Sequence, residues 1–426
     1  MDTIVALATA QGRAGVAVVR VSGERAWDVC ASIAGIVPEP RRARLVTLRD
    51  ASGEVIDHAL VLVFDEGHSF TGERVCEFQI HGSVAGTKAV LQACLDVPGV
   101  RAAEPGEFTK RAFLSGQMDL AEVEGLADLI EAETEAQRRQ AFRVFGGEAT
   151  KAIDGWREGL IQAMAMLEAA LDFADEEIPE DLSDLVLAPL DRVLDEIRGQ
   201  IAGKRAAEAV RDGFEVAIVG RVNAGKSTLL NALAGREAAI TSERAGTTRD
   251  VIEVRMDIGG LPVTLIDTAG LRDAEDEVEQ IGIIRGRQRA EAADIRIFLK
   301  AEPDEEPEGI RDEDIVVLSK ADLWGQKGIS ARTGAGIGAL LGQIEGRLRE
   351  VTKGSSIFSR ERHFDKLERA AEELSESRAY VLQGTPFWEL ASEHLRSAVA
   401  CLDGIVGRVD VEDVLGRIFS SFCIGK

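Results

Sequence analysis

The segment Gly220-Arg221-Val222-Asn223-Ala224-Gly225-Lys226-Ser227 fits the spacing GxxxxGK[ST]. These residue types suit phosphate. Glycines let successive backbone N–H groups curl around phosphate oxygens, and a helix that follows points its positive end at them. Lys226 neutralises the β- and γ-phosphates, and Ser227 offers a hydroxyl to Mg²⁺. Downstream lie three further segments in a fixed order. Asp267-Thr268-Ala269-Gly270 follows an apolar run and has the DxxG spacing. Asp267 would hold the magnesium shell, and the Gly270 N–H would meet the γ-phosphate. Thr247-Thr248-Arg249-Asp250 falls between these two segments, where a threonine would close on Mg²⁺. Ser319-Lys320-Ala321-Asp322 has the form of the guanine-reading NKxD, and Ser330-Ala331-Arg332 that of a supporting SAK/SAR loop. Together they specify GTP rather than ATP.

Two positions depart from the common pattern. Ser319 stands where an Asn is usual. An amide bridges base and phosphate loop, and a hydroxyl reaches less far, so weaker nucleotide binding and rapid unassisted exchange are expected. Asp322 still supplies the carboxylate that reads guanine. Leu271 stands where a Gln next to the DxxG orients water, and Leu cannot hydrogen-bond. Some other group must position water and offset the developing charge. Asn223 can aim its amide oxygen near the phosphates. Glu279 could act through water, or it is a solvated charge in the acidic run 273–279.

The elements that must position these residues follow from hydrophobic period. Phe214–Val219 reads as a buried strand leading into the phosphate loop, and Thr228–Leu233 as the helix after it. Val251–Ile258 and Val263–Ile266 flank Gly259-Gly260 as a hairpin. Ile295–Leu299 and Ile315–Leu318 are further strands, so 213–350 is an α/β unit with a mostly parallel sheet. Residues 1–117 read as α+β, with strands at Val16–Val21 and Ala59–Phe64 and a helix at Val84–Leu95. From 118 to 212 the period is 3.6: Leu120, Val123, Leu126, Ala127 and Ile130 mark one face, and Leu190, Val193, Leu194, Ile197 and Ile201 another. After 351 it is helical again, through Leu367, Ala371, Leu374, Leu390, Leu395, Val399 and Leu402. Neither helical flank makes a complete bundle. The expected architecture is therefore a multidomain α/β chain: a domain at 1–117, a helical domain of 118–212 plus 351–426, and a nucleotide-binding domain at 213–350 inserted in it. Three domains in series is the alternative.

The chain has 426 residues, 45% apolar and 29% charged, an ordinary globular balance. With 50 Lys plus Arg against 74 Asp plus Glu the formal charge is −24. That excludes a basic nucleic-acid coat, though not a local basic groove. No apolar run is long enough to span a bilayer. The start MDTIVALATAQGRAG lacks a basic leader and a cleavage site. The five cysteines form no CxxC pair, and the five histidines show no zinc spacing. A reducing cytoplasm and no transition metal are expected.

The motifs, together with DTIVALATAQGRAGVAVVRVSG, PGEFTKRAFLSGQMDLAEVEGLADLI, AGTTRDV, DTAGLRDAEDEVEQIGI and the terminal GRIFSSFCIGK, closely resemble the MnmE (TrmE) family of bacterial tRNA-modification GTPases. The resemblance spans essentially the whole chain. It implies a tetrahydrofolate-binding, dimerising N-terminal domain, a helical domain and an inserted G domain. It implies a homodimer whose G domains meet when GTP is bound, with K⁺ where other GTPases use an arginine finger. Asn223, Ser242, Arg244 and Thr247 match potassium ligands; Ser227 and Thr248 match magnesium ligands; Glu279 matches the catalytic glutamate. GTP contacts are implied at Asn223, Ala224, Gly225, Lys226, Ser227 and Thr228, at Ser242, Glu243, Arg244, Ala245, Gly246, Thr247 and Thr248, at Asp267, Thr268, Ala269 and Gly270, at Ser319, Lys320, Ala321 and Asp322, and at Ser330, Ala331 and Arg332. The implied reaction modifies carbon 5 of the wobble uridine of certain tRNAs. It uses a one-carbon unit from 5-formyl-tetrahydrofolate or a related tetrahydrofolate, with the flavoprotein MnmG in a heterotetramer or larger complex. Arg20, Glu77, Gln117 and Lys426 match folate-contacting positions. Gln117 stands where Lys is usual and removes one cation from the site.

Cys423 reads as a terminal nucleophile or proton donor beside Lys426, or as a small packed residue. Cys30, Cys76, Cys94, Cys401 and Trp388 read as core. His81 reads as a structural histidine, or else as an anion contact. The acidic runs 172–184 and 302–308 read as solvated loops. A second function fits the same motifs: a GTP-switched assembly module with no modifying chemistry of its own.

Overall fold

The computed structural model describes residues 2–172, 182–221, 223–235, 253–267, 288–289, 291–306, 309–409, 418, 422 and 425. The chain forms two compact units, 1–127 with 403–426, and 128–402.

The first unit is built on a six-stranded sheet. In chain order the strands are β1 (Thr3–Leu7), β2 (Ala14–Ser22), β3 (Arg44–Arg49), β4 (Val55–Phe64), β5 (Val75–Gly82) and β6 (Val100–Ala102). Their order across the sheet is β3-β4-β5-β2-β1-β6. All pairings are antiparallel except β1 with β6. Alternation puts Val19, Val21, Val61, Val63, Cys76 and Phe78 into the core beneath the helices Ala26–Ala34 and Val84–Leu95. Ser83 caps the second helix, its hydroxyl accepting from the Gly86 N–H. The other side of β1 packs Ile4 and Ala6 against Phe108 of the helix Glu107–Leu114 and against Phe70. Phe422 and Ile418 return to this unit and pack against Val123, Phe113 and Met118. Gly425 has φ +101°, and a Cβ there would collide with the Leu7 carbonyl oxygen. Gly425 thus lies on the end of β1.

The second unit holds a five-stranded sheet: β7 (Phe214–Gly220), β8 (Glu253–Ile258), β9 (Leu261–Asp267), β10 (Ile295–Lys300) and β11 (Ile315–Leu318), in the order β11-β10-β7-β9-β8. Only β8 runs antiparallel, paired to β9 through the Gly259-Gly260 turn. Apolar strands buried on both faces are what a parallel sheet requires. The helices Lys226–Ala234 and Ile337–Val351 cover them through Leu229, Leu230, Leu233, Leu340 and Ile344. The helices Glu148–Asp172, Leu182–Ala202 and Glu361–Gln383 pack together, burying Trp156, Leu160, Leu167, Val193, Ile197, Leu367 and Leu374. A capping box at Thr134 and Gln137 starts the helix Glu135–Phe145. The Ala136 N–H of that helix donates to the Gly260 carbonyl at 3.0 Å, which fastens the helix to the hairpin turn.

The strands of the second unit follow the sequence reading closely, with residues 251–252 outside the described residues; in the first unit only β2 and β4 are named from sequence, and β1, β3, β5 and β6 are not. Some faces differ. Ile130 is 40% exposed, and the helix Leu120–Glu131 buries Leu120, Ala121, Val123, Glu124 and Gly125 instead. Leu390 is 47% exposed, because Trp388, Ala391, Leu395, Ala398 and Leu402 make the buried stripe. Cys401 is half-buried rather than core, whereas Cys30, Cys76 and Cys94 are fully buried. Burial raises the Cys76 and Cys94 thiols well above the ordinary thiol range. Glu305 is not solvated: it is buried, it accepts the Ala301 N–H at 2.6 Å, and it faces Arg221 at 3.4 Å.

Candidate nucleotide-binding site

β7 ends at Gly220, whose φ of +148° turns the chain beside Leu299. Any Cβ there would meet the Leu299 carbonyl oxygen at 2.5 Å. Asn223 (φ +64°) and Gly225 (φ +96°) curl the loop, and the helix begins at Lys226, two residues before the start read from sequence. Lys226 is buried, and its ammonium donates to the Gly220 and Arg221 carbonyls at 2.7 and 2.9 Å. The charge is therefore held inside the loop's own curl, where a phosphate would meet it. Ala224 is fully buried beneath the loop and Thr228 lies on the first helical turn.

The parallel register of β7 with β9 brings Asp267 level with Ile218. The Ser227 hydroxyl donates to Asp267 Oδ2 at 2.6 Å. A hydroxyl and a carboxylate meet at the helix N-terminus, an all-oxygen pair of the kind Mg²⁺ takes. Two motifs forty residues apart are joined by one sheet register.

A cavity of about 200 Å³ opens beside them, lined by Gly225, Thr228, Leu299, Ser319, Lys320, Asp322, Leu323, Ser330, Ala331 and Arg332. Lys320 has φ +53°, and its ammonium donates to the Asn223 carbonyl at 2.7 Å, tying the base pocket to the phosphate loop. Ala321 starts a short helix through its N–H bond to Ile329 O. Asp322 pairs with Arg332 at 3.3 Å. The Ser330–Arg332 loop is shaped by Gly336 (φ +74°), where a Cβ would collide with the Gly328 carbonyl. Neither the Arg332–Asp322 pair nor the Lys320–Asn223 tie was read from sequence. Both link residues across loops; opposite charge is a signal for the first, and nothing in the sequence signals the second, whose acceptor is a backbone carbonyl.

In the first unit, Arg20 and Glu77 stand opposite each other across β2 and β5, paired at 2.8 Å. The Arg20 guanidinium lies 5.4 Å from the Phe70 ring centroid and 5.8 Å from that of Phe108. Gln117 is exposed and lies against the Gly72 turn, where Ser115 donates to Thr71 O at 2.7 Å. His81 is exposed and holds Asp57 at 2.8 Å. Burial would raise the Asp57 carboxyl, but hydrogen bonds from the His81 ring and backbone outweigh that and lower it.

Ser242, Glu243, Arg244, Ala245, Gly246, Thr247, Thr248, Thr268, Ala269, Gly270, Leu271, Glu279, Cys423 and Lys426 lie outside the described residues.

A curled phosphate loop, a hydroxyl–carboxylate pair at its helix and a base pocket carrying a carboxylate, all on a mostly parallel sheet, define a P-loop guanine-nucleotide-binding protein. Residues 3–117 match the family described as GTP-binding protein TrmE N-terminus, and residues 120–423 match MnmE helical domain. Proteins named tRNA modification GTPase MnmE align along the whole chain: 54% identical in Cereibacter sphaeroides and 52% in Roseobacter denitrificans, each over 100% of both chains. The one from Azorhizobium caulinodans is 48% identical over 100% of this chain and 99% of its own. The chain belongs to the MnmE family of tRNA modification GTPases.

Proposed function

We propose that this chain hydrolyses GTP to drive modification of carbon 5 of a tRNA wobble uridine, in concert with the flavoprotein MnmG and a tetrahydrofolate one-carbon donor. The observation that carries the nucleotide part is the convergence of Lys226, the Ser227–Asp267 pair and the Asp322 pocket at one end of one sheet. Lys226 binds the phosphates, Asp322 selects guanine, and Ser227 with Asp267 and Thr248 holds Mg²⁺. Bound there, Mg²⁺ would neutralise phosphate charge. Leu271 cannot orient water, so Glu279 takes that part. Asn223, Ser242, Arg244 and Thr247 would hold K⁺, which would supply the transition-state charge an arginine finger gives elsewhere. The Asn223 backbone supports this. Its left-handed turn is locked by Lys320, which presents the side chain from a fixed point.

The folate reading rests on the first unit. Glu77 offers a carboxylate to the N–H edge of a pterin, and Arg20, braced over half-buried Phe70 and fully buried Phe108, sets a guanidinium beside it. Gln117 and Lys426 complete the set. Gly425 packs on Leu7, which supports a role for the neighbouring Cys423 and Lys426 at this domain. Bound folate would supply the one-carbon unit, and Cys423 acts as nucleophile or proton donor. We place the folate-binding, dimerising domain at 1–117, the helical domain at 118–212 and 351–426, and the G domain at 213–350, in a cytoplasmic homodimer that assembles with MnmG into a heterotetramer or larger.

GTP turnover in KCl against NaCl tests the cation role. Turnover is expected to be at least about tenfold faster in KCl, with the difference lost in Asn223→Ala. Equal rates in the two salts would overturn it.

A further inference from the structure

Guanine presents two kinds of edge. Its N1–H and N2–H₂ are donors, and its O6 and N7 are acceptors. Asp322 supplies an acceptor for the first edge. The second edge needs donors. Lys320 donates to the Asn223 carbonyl at 2.7 Å and Arg332 pairs with Asp322 at 3.3 Å, so both cations of the pocket are engaged elsewhere. Ser319 stands in the guanine-reading segment where an amide donor is usual. Its backbone is pinned at the end of β11, the N–H donating to Lys300 O at 2.9 Å. Its side chain is 4% exposed, and its hydroxyl is sealed from solvent without a hydrogen-bond partner. The hydroxyl is recessed in the pocket floor, and an Asn amide at this position would carry a donor one bond further out.

Resting on the guanine-nucleotide reading above, we propose that the Ser319 side chain leaves N7 of the base unread, so that side-chain selection of the nucleotide rests on Asp322 at the opposite edge. Two consequences follow. The nucleotide is held by one side-chain anchor fewer than an Asn would give, which favours exchange without assistance. The site also tolerates change at position 7 of the purine while rejecting change at position 2.

Calorimetric titration of the full-length chain, with Mg²⁺ present, distinguishes these cases using GDP, 7-deaza-GDP (no acceptor at position 7) and inosine diphosphate (no amine at position 2). For the wild type, GDP and 7-deaza-GDP are expected to bind within about twofold, and inosine diphosphate about tenfold or more weaker. In Ser319→Asn, GDP is expected to tighten by about three- to tenfold while 7-deaza-GDP does not follow. The three wild-type titrations decide the matter even if that variant does not fold. A wild-type preference for GDP over 7-deaza-GDP of fivefold or more would overturn the inference and assign N7 to the Ser319 hydroxyl. Failure of GDP itself to bind would instead overturn the nucleotide reading beneath it.

Discussion

Lys226 is buried with its ammonium turned onto two carbonyls of its own loop. Phosphate binding replaces those neutral acceptors by charged ones, so the lysine gains most when nucleotide arrives. Lys226→Ala is therefore expected to lower GTP affinity by more than about tenfold in a fluorescent-nucleotide titration. Affinity within twofold of wild type would contradict that role. Asp322→Asn exchanges an acceptor for an amide that can donate. GDP binding should fall, and xanthosine diphosphate, which carries a carbonyl at position 2, should bind in its place; unchanged GDP preference would show that the carboxylate does not read the base. At this scale the sequence was most legible where function is contiguous, as in Gly220–Ser227. It was less legible where a charge finds its partner across the fold. Composition does not distinguish buried Glu305 from its solvated acidic neighbours: the Ala301 N–H, four residues earlier, turns onto it only once β10 has ended, and Arg221 arrives from the phosphate loop.

At the scale of elements, loops are held by a few backbone requirements. Gly336 combines φ +74° with a carbonyl in the way of any Cβ. Gly336→Ala should destabilise the nucleotide-binding unit by about 1–3 kcal/mol and weaken GDP binding by displacing Ser330–Arg332. Denaturant melts with and without GDP check this, and a wild-type midpoint would refute it. In the first unit, the helix Glu107–Leu114 is tied to the start of the chain by ions. Arg111 meets Asp2, Glu73 and Glu107 at 2.8, 3.1 and 2.9 Å, and Arg101 meets Asp2 and Glu107. Burial would raise the Glu107 carboxyl, but hydrogen bonds from Arg101, the Glu104 N–H and Arg111 outweigh it and hold it at about 2. The folded state thus releases this proton more readily than the unfolded chain, whose ordinary Glu titrates near pH ~4.3. Glu107 contributes fully above that value, progressively less as pH falls below it, and nothing once the pH is well below ~2. Stability measured from pH 6 down to pH 3 should decline more steeply in wild type than in Glu107→Gln, and parallel declines would contradict the linkage. Periodicity located these elements well, because strands and helices bury apolar residues at fixed intervals. It was weaker on which residue of a helix faces inward, as Leu390 shows: Trp388, Ala391 and Leu395 set the stripe, and small Ala at 391 and 398 gives no apolar signal of its own.

At the scale of the molecule, a net charge of −24 opposes a polyanion. The isolated chain is expected to bind tRNA weakly at physiological salt, and the partner to supply most of the contact; tight, salt-sensitive binding by the chain alone would contradict this. GTP turnover here is expected to serve a nucleoside modification. Mass spectrometry of tRNA nucleosides tests it most directly, in cells lacking this protein and complemented with wild type, Lys226→Ala or Cys423→Ser. Deletion is expected to abolish the carbon-5 wobble modification, which wild type restores and neither variant does. Rescue by Cys423→Ser would remove the thiol from the chemistry. An unchanged nucleoside profile on deletion would contradict the account as a whole.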